Sequence, residues 1–268
     1  PTRDKASLLK QCISSILSKT DYKNYEIMVV DNQSSEKETV DYYNSLKSND
    51  EIKIVHYNKP FNYSEINNFA VNHTDAEVIV FLNNDTEVIN NEWLSSMLEF
   101  AQREDVGAVG AKLYYPDDTI QHAGLIVGIY GGVAAHSFRH FPRYSNGYAS
   151  RLKIIQNLSA VTAACMMVRK EVFKEVGGFD ARLSHAFNDV DLCLKIREKG
   201  YLIVYTPYSE LYHHESASRG AEDTPEKKVR FYREIEMIQN RWKHIFDKGD
   251  PYYNPNLTVD REDFEIKV

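Results

Sequence analysis

Two short carboxylate motifs, a histidine pair and one strand-ending aspartate are the groups in this chain whose types and spacing could do chemistry. Phe81-Leu82-Asn83-Asn84-Asp85-Thr86-Glu87 runs from a hydrophobic strand straight into oxygen donors, the composition that hard cations such as Mg²⁺ and Mn²⁺ prefer. The same residues also fit an Asx turn capping a helix near Asn91, so the motif alone leaves both readings open. Asn188-Asp189-Val190-Asp191-Leu192 opens a helix. Helical spacing puts Asp191 with Lys195 and Glu198 in a solvent-side ladder of ion pairs. Asp189 instead shares the apolar stripe of Leu192, Cys193 and Ile196. A carboxylate at the mouth of an apolar face, near a helix N-terminus, is either a cap or a positioned proton acceptor. His213 and His214 end a stretch of strand character, where neighbours point to opposite faces, so at most one of them meets a metal. Asp31 closes a buried strand, where an open parallel sheet presents side chains to a ligand; it can accept hydrogen bonds from a base or ribose, or cap the next helix with Ser34. His136 and His140 have helical spacing but no carboxylate partner, and read as surface or core histidines.

The elements that must position these groups follow from periodicity. Residues 5–19 repeat apolar positions at helical spacing. Strands are expected at 26–31, 52–57 and 77–82, separated by helical stretches at 36–47 and 64–72. This alternation implies parallel β-α-β units with ligands beyond the C-terminal strand edges. Further on, a helix at 91–103 and a strand at 106–113 precede a Gly- and aromatic-rich region. Then come a strand at 160–169, a helix at 171–176, the turn Gly177-Gly178, a helix at 190–199 and a strand at 201–205. A last amphipathic helix spans 225–246, and its Lys227, Lys228, Arg230, Arg233, Arg241 and Lys243 fit a plainly docked helix, a membrane surface or a neighbouring domain. The polar tail from Asp250 has little with which to build a core of its own.

With 268 residues, 43% of them hydrophobic and 26% charged, the chain can close one good core. A formal net charge of −7 leaves no excess of cation for a polyanion, which excludes nucleic acid as a partner class. Cys12, Cys165 and Cys193 have no CxxC spacing and lie in apolar segments, so they read as reduced core thiols. The most apolar stretch, 123–135, is too short to span a membrane and is broken by glycines. No P-loop, no Gly-x-Gly-x-x-Gly after a strand and no Gly-x-Ser-x-Gly is present. A sequon inside the Asp85 motif argues against a secretory home, and Pro1-Thr2-Arg3-Asp4 reads as the loop after a strand, as in a piece of a longer polypeptide.

The order of these motifs resembles glycosyltransferase family 2, in particular the bacterial branch associated with rhamnosyl and related transfers in O-antigen and surface polysaccharide assembly. The resemblance rests on Pro1-Thr2-Arg3-Asp4, Val29-Val30-Asp31-Asn32-Gln33-Ser34, Phe61-Asn62-Tyr63-Ser64 with Asn67-Asn68, and Leu82-Asn83-Asn84-Asp85. It continues through Gln121-His122-Ala123-Gly124, Val176-Gly177-Gly178-Phe179-Asp180, Asn188-Asp189-Val190-Asp191-Leu192, Tyr212-His213-His214-Glu215 and 250–257. It implies an α/β GT-A fold: a Rossmann-like, mostly parallel central sheet flanked by helices, with a smaller mixed acceptor-side region. Residues 1–105 would be the nucleotide-sugar half, 106–222 the acceptor and catalytic half of the same domain, and 223–268 a C-terminal helix and tail.

Carried onto this sequence, the resemblance makes Pro1, Thr2, Arg3, Asp31, Asn68, Asn83, Asn84 and Asp85 the nucleotide-sugar site. Asp85 and His213 would hold Mn²⁺ or Mg²⁺, Asp189 would be the catalytic base, and Gly177, Gly178, Phe179 and Asp180 would wall the acceptor and donor sugar. Asn83 replaces the first Asp of the family's metal motif, and Asn188 the Glu that often precedes the base. The implied activity is inverting, metal-dependent transfer from a dTDP- or UDP-sugar to a saccharide acceptor, free or lipid-linked, in the bacterial cytoplasm or at the inner membrane face. A retaining GT-A transferase, sharing the metal site but not the base, and a non-catalytic carbohydrate-binding module of a larger polymerase are the alternatives.

Overall fold

The computed structural model describes residues 1–215 and 224–267; the end of the expected second half, 216–222, and residue 223 lie outside them. Helix α1 (Ala6–Lys19) buries Leu9, Cys12, Ile13 and Ile16, the residues whose spacing predicts it. Strands β1 (Ile27–Asp31) and β2 (Ile52–His56) pair in parallel across the connecting helix α2 (Lys37–Leu46), and α3 (Tyr63–Val71) follows, capped by the Asn62 side chain, which accepts the Glu65 N–H. Then come β3 (Val78–Leu82), β4 (Thr86–Val88), α4 (Trp93–Ala101) and β5 (Val106–Tyr114). An excursion of short strands, β6 (Ile120–His122), β7 (Leu125–Val127), β8 (Ala134–His136) and β9 (Gln156–Leu158), leads to β10 (Cys165–Arg169). Helices α5 (Lys170–Glu175) and α6 (Asn188–Glu198), strand β11 (Leu202–His213) and helices α7 (Pro225–Arg241) and α8 (Lys243–Lys248) complete the chain's regular elements.

The central sheet has seven strands in the order β3-β10-β5-β11-β4, with β6 on β5 and β9 on β11. It joins strands from both halves of the sequence. Helix α4 covers one face with Trp93, Leu94 and Met97, while α5 and α6 cover the other with Val172, Phe173, Val190, Leu192 and Ile196. Gly107 lets α6 approach closely, because a Cβ there would stand 2.2 Å from Ile196 Cγ2. All nine residues of β5 are buried, as a strand sandwiched on both faces requires. Pairing is more mixed than the strand–helix alternation implies: β5 and β11 run parallel, but β10 is antiparallel to β3 and β5, and β4 to β11. The reason is that β10 arrives from the 115–164 excursion and not from a helical crossover.

Three local expectations need correction. The strand expected at 160–169 is continuous only from Cys165 onward, with Ala160 making a single antiparallel bridge to Leu125; residues 162–164 form an irregular turn between them. The helix expected at 225–246 breaks at Trp242 (φ −104°, ψ 20°), whose indole N–H donates to Asp191 at 3.0 Å. Asp191 itself is fully buried, not solvent-facing, because α7 lies over it and brings Arg241 to 2.6 Å while Lys195 stays at 3.3 Å. Helical periodicity gives the angle between two side chains but not which face a distant helix will cover. Arg241 therefore leaves the basic stripe of α7 to neutralise the interior, and Ile238 and Trp242 dock the helix into the main core. No helix among the described residues is long and apolar enough to cross a membrane. The three cysteines are free and buried, as their apolar settings predict.

Candidate active site

The N-terminal residues meet the ends of β1 and β3. Thr2 pairs with Asp31 as a parallel bridge, its N–H donating to Val30 and its carbonyl accepting from Asn32. Its hydroxyl accepts from the Asn84 side chain at 3.0 Å. Pro1, Thr2, Asp31 and Asn84 thus share one edge, with Arg3 exposed beside them. Asp31 is buried and accepts hydrogen bonds from Ser34 N–H and Tyr43 Oη, with His56 Nδ1 at 3.1 Å. Burial alone would push its carboxyl up, but the hydrogen bonds from Ser34, His56 and Tyr43 outweigh it and hold the group below its ordinary value. Asp31 is therefore a fixed anion at this edge.

Asp85 follows β3 and is 4% exposed. The ladder between β4 and β11 sets His213 opposite Thr86, and His214 N–H donates to the Asp85 carbonyl. Strand alternation then sends the two histidines apart, His213 Nε2 to within 3.2 Å of Asp85 Oδ1 and His214 Nε2 toward Glu87 at 3.7 Å. On its other side, His213 Nδ1 lies 2.7 Å from Gln121 Oε1, while Gln121 Nε2 donates to the His213 carbonyl at 3.3 Å. That second bond fixes the amide, so Nδ1 is the ring nitrogen that donates to Oε1, and Nε2 is the one turned toward the Asp85 carboxylate oxygen. Two ligands of one ion, each about 2.1 Å from it at right angles, stand about 3.0 Å apart, close to the spacing here. Asn83 adds an amide 3.2 Å from His213 Nε2. Among the described residues no group of three or more His, Cys, Asp or Glu side chains gathers to hold a metal. The pair thus fits a cation that completes its shell with phosphate oxygens and water, as Mg²⁺-type sites commonly do.

Asp189 sits in the first turn of α6, half-buried. It reaches across to Ala163, whose N–H donates to Oδ2 at 3.2 Å, and takes further hydrogen bonds from Thr162 Oγ1 and from Val190 N–H. Burial raises its carboxyl above the ordinary value despite these bonds. One residue further on, the Ala164 carbonyl accepts the Asn83 N–H at 3.0 Å. Residues 162–164 are therefore a strut with Asp189 on one side and the Asp85 motif on the other. Tyr63, whose hydroxyl donates to the Ala163 carbonyl at 3.0 Å, feels both acids: burial pushes its pKa up most, and the charges of Asp189 and Asp85 push it up further. Tyr63 thus lies within electrostatic reach of both carboxylates.

The other expected wall and sugar-site residues have structural partners. Asn68 clamps the Phe179 backbone in both directions, accepting its N–H at 3.0 Å and donating to its carbonyl at 2.8 Å. Gly178, at φ +65°, could carry no Cβ without standing 2.7 Å from Asn68 Oδ1. Phe179 is buried in the core, and Asp180 is bound by Arg182 at 2.7 Å and Arg241 at 2.5 Å. Gly177 and Asp180 line a cleft with Lys195, Glu198 and Arg241 that includes neither Asp85 nor Asp189. Sequence reasoning assigned no role to Tyr63, Gln121 or the 162–164 turn; Tyr63 and Gln121 stand inside motifs that carry the resemblance, and the backbone donors of a turn have no sequence signal.

The helix-flanked sheet that carries these groups has the GT-A glycosyltransferase fold. The family model for "Glycosyl transferase family 2" matches residues 1–177, and the chain belongs to that family. It is 50% identical over 99% of its length to the uncharacterized protein y4gI of Sinorhizobium fredii (strain NBRC 101917 / NGR234), and 38% identical over 100% to the O-antigen biosynthesis protein RfbC of Myxococcus xanthus. The chain spans only 29% and 20% of those two relatives. Among solved structures, a mannosyltransferase from Pyrobaculum calidifontis in complex with GDP-Man and Mn²⁺ superposes with a TM-score of 0.63 at 15% identity, covering 91% of this chain and 63% of that one.

Proposed function

We propose that the protein transfers a sugar from a nucleotide-diphosphate sugar to a saccharide acceptor with inversion, using a divalent cation held by Asp85 and His213 and Asp189 as the base. The observation that carries this reading is the Asp85–His213 pair, a buried carboxylate 3.2 Å from an imidazole nitrogen, tied through residues 162–164 to a second, more basic carboxylate. When bound, the cation offsets negative charge on the departing diphosphate. Asn83 orients His213, and Gln121 fixes its tautomer. Asp31 and the backbone of Thr2 line the edge that would receive the base and ribose, with Pro1, Arg3 and Asn84 beside them. Asp189 accepts the proton of the acceptor hydroxyl as its oxygen bonds to the anomeric carbon, while the carbon–oxygen bond to the diphosphate breaks and its electron pair leaves with the nucleotide. The GDP-Man and Mn²⁺ bound by the Pyrobaculum transferase support the donor class and Mn²⁺, with Mg²⁺ an equal fit to the donor set; the likeness to the Myxococcus O-antigen biosynthesis protein supports a role in surface polysaccharide assembly. The acceptor, free or lipid-linked, would then be met in the cytoplasm or at the inner face of the membrane.

Incubating the protein with a panel of nucleotide-diphosphate sugars and saccharide acceptors, with Mn²⁺, Mg²⁺ or chelator, tests this reading. The expected product carries the opposite anomeric configuration to the donor and forms only with metal. A product of retained configuration, or turnover indifferent to chelator, overturns it.

A further inference from the structure

A fully buried histidine, His122, and a half-buried one, His136, face each other in a pair that the proposed chemistry does not use. His122, at the end of β6, is fully buried, and its Nδ1 stands 2.9 Å from Nδ1 of His136 at the end of β8. Its Nε2 lies 3.4 Å from the Thr162 N–H. A backbone N–H can only donate, so Nε2 is bare and His122 carries its proton on Nδ1. That proton goes to His136 Nδ1, which must be bare in turn. The order of donors runs one way only: Thr162 N–H to His122, then His122 to His136. Burial of both rings keeps them neutral, which this order requires.

Thr162 is also the first residue of the strut. Its hydroxyl and the next N–H, from Ala163, hold the Asp189 carboxylate, while the Ala164 carbonyl holds Asn83. Gln121, the residue before His122, grips the imidazole of His213. Two adjacent residues of β6 thus address the two acids separately, Gln121 through His213 and His122 through Thr162.

We propose that His122, locked in the Nδ1–H tautomer by His136, is a positioning residue that sets the 162–164 turn and through it the carboxylate of Asp189. This rests on the reading of Asp189 as the proton acceptor. The Thr162 bond is long, so it aligns the turn more than it stabilises the fold. Moving a catalytic group by about 1 Å can cost about 100-fold in rate.

The test combines ¹⁵N-histidine NMR of the whole chain with kinetics of His122→Phe and His122→Gln. At neutral pH the spectrum is expected to show His122 Nε2 unprotonated and Nδ1 protonated, a result independent of any activity. His122→Phe, which cannot accept from Thr162, should lower kcat about 10- to 100-fold with KM for the sugar nucleotide nearly unchanged. His122→Gln, whose amide oxygen can accept that N–H, should recover most of the loss. A proton on Nε2, full turnover in His122→Phe, or equal loss in both variants accompanied by loss of nucleotide binding overturns the proposal. A loss in His122→Phe alongside an Asp189→Asn variant that is fully active would also overturn it, by detaching His122 from Asp189, and would separately remove the base reading.

Discussion

The two acids of the site are held in place by different means. Asp85 is positioned by strand geometry: β3 delivers it, β4 and β11 set His213 opposite by register, and Gln121 fixes the ring. Asp189 is positioned by hydrogen bonds from pieces of chain far apart in sequence. Ala163 and Thr162 hold its carboxylate, and α7 holds the segment leading to it, with Glu234 accepting the N–H groups of Ser184, His185 and Ala186. A sheet edge offers a rigid platform for an ion that must be met in the ground state. A carboxylate that acts only as the acceptor hydroxyl loses its proton can be carried on a helix mouth braced by loops. If this contrast is right, damage to one region should show in binding and damage to the other in turnover.

The largest effect is expected on the helix side. Asp189→Asn should cut kcat by about 10²- to 10⁴-fold while sugar-nucleotide binding persists, because a positioned base acts only in the transition state. In the wild type, the acid limb of the kcat profile should fall above the ordinary aspartate value of 3.8, since burial raises the Asp189 carboxyl and the proposed role as base requires it ionised. An acid limb absent from the wild type, or unchanged in Asp189→Asn, would break the contrast.

A smaller effect is expected from the brace. Arg241→Ala leaves the fully buried Asp191 with Lys195 and Trp242 but without its guanidinium, and should cost about 3 kcal/mol in urea unfolding. Metal-linked nucleotide binding should survive in the folded fraction. Loss of that binding with stability intact would mean that α7 serves the strand side as well.

The same contrast explains what the sequence discloses. The strand side is legible: EIMVVD and the run ending in Asn83-Asn84-Asp85 announce buried strands that empty into polar groups, and alternation separates His213 from His214. The helix side is legible only in outline. Asp189 stands out by its place on an apolar stripe, yet the same periodicity points its neighbour Asp191 to solvent, because nothing in the local pattern tells that Arg241, fifty positions on, covers it. Asn68 could be placed in a motif but not on the Phe179 backbone, and the donors of the 162–164 turn are main-chain groups that any residue supplies. Periodicity describes elements one at a time; contacts between distant elements decide which polar groups end up inside.

The most direct test is calorimetric titration of a nucleoside diphosphate into wild type, Asp85→Ala and Asp189→Asn, each with Mn²⁺ and with chelator. Metal-enhanced binding is expected in wild type and Asp189→Asn, with no metal enhancement in Asp85→Ala. Metal-enhanced affinity in Asp85→Ala equal to that of the wild type would contradict it.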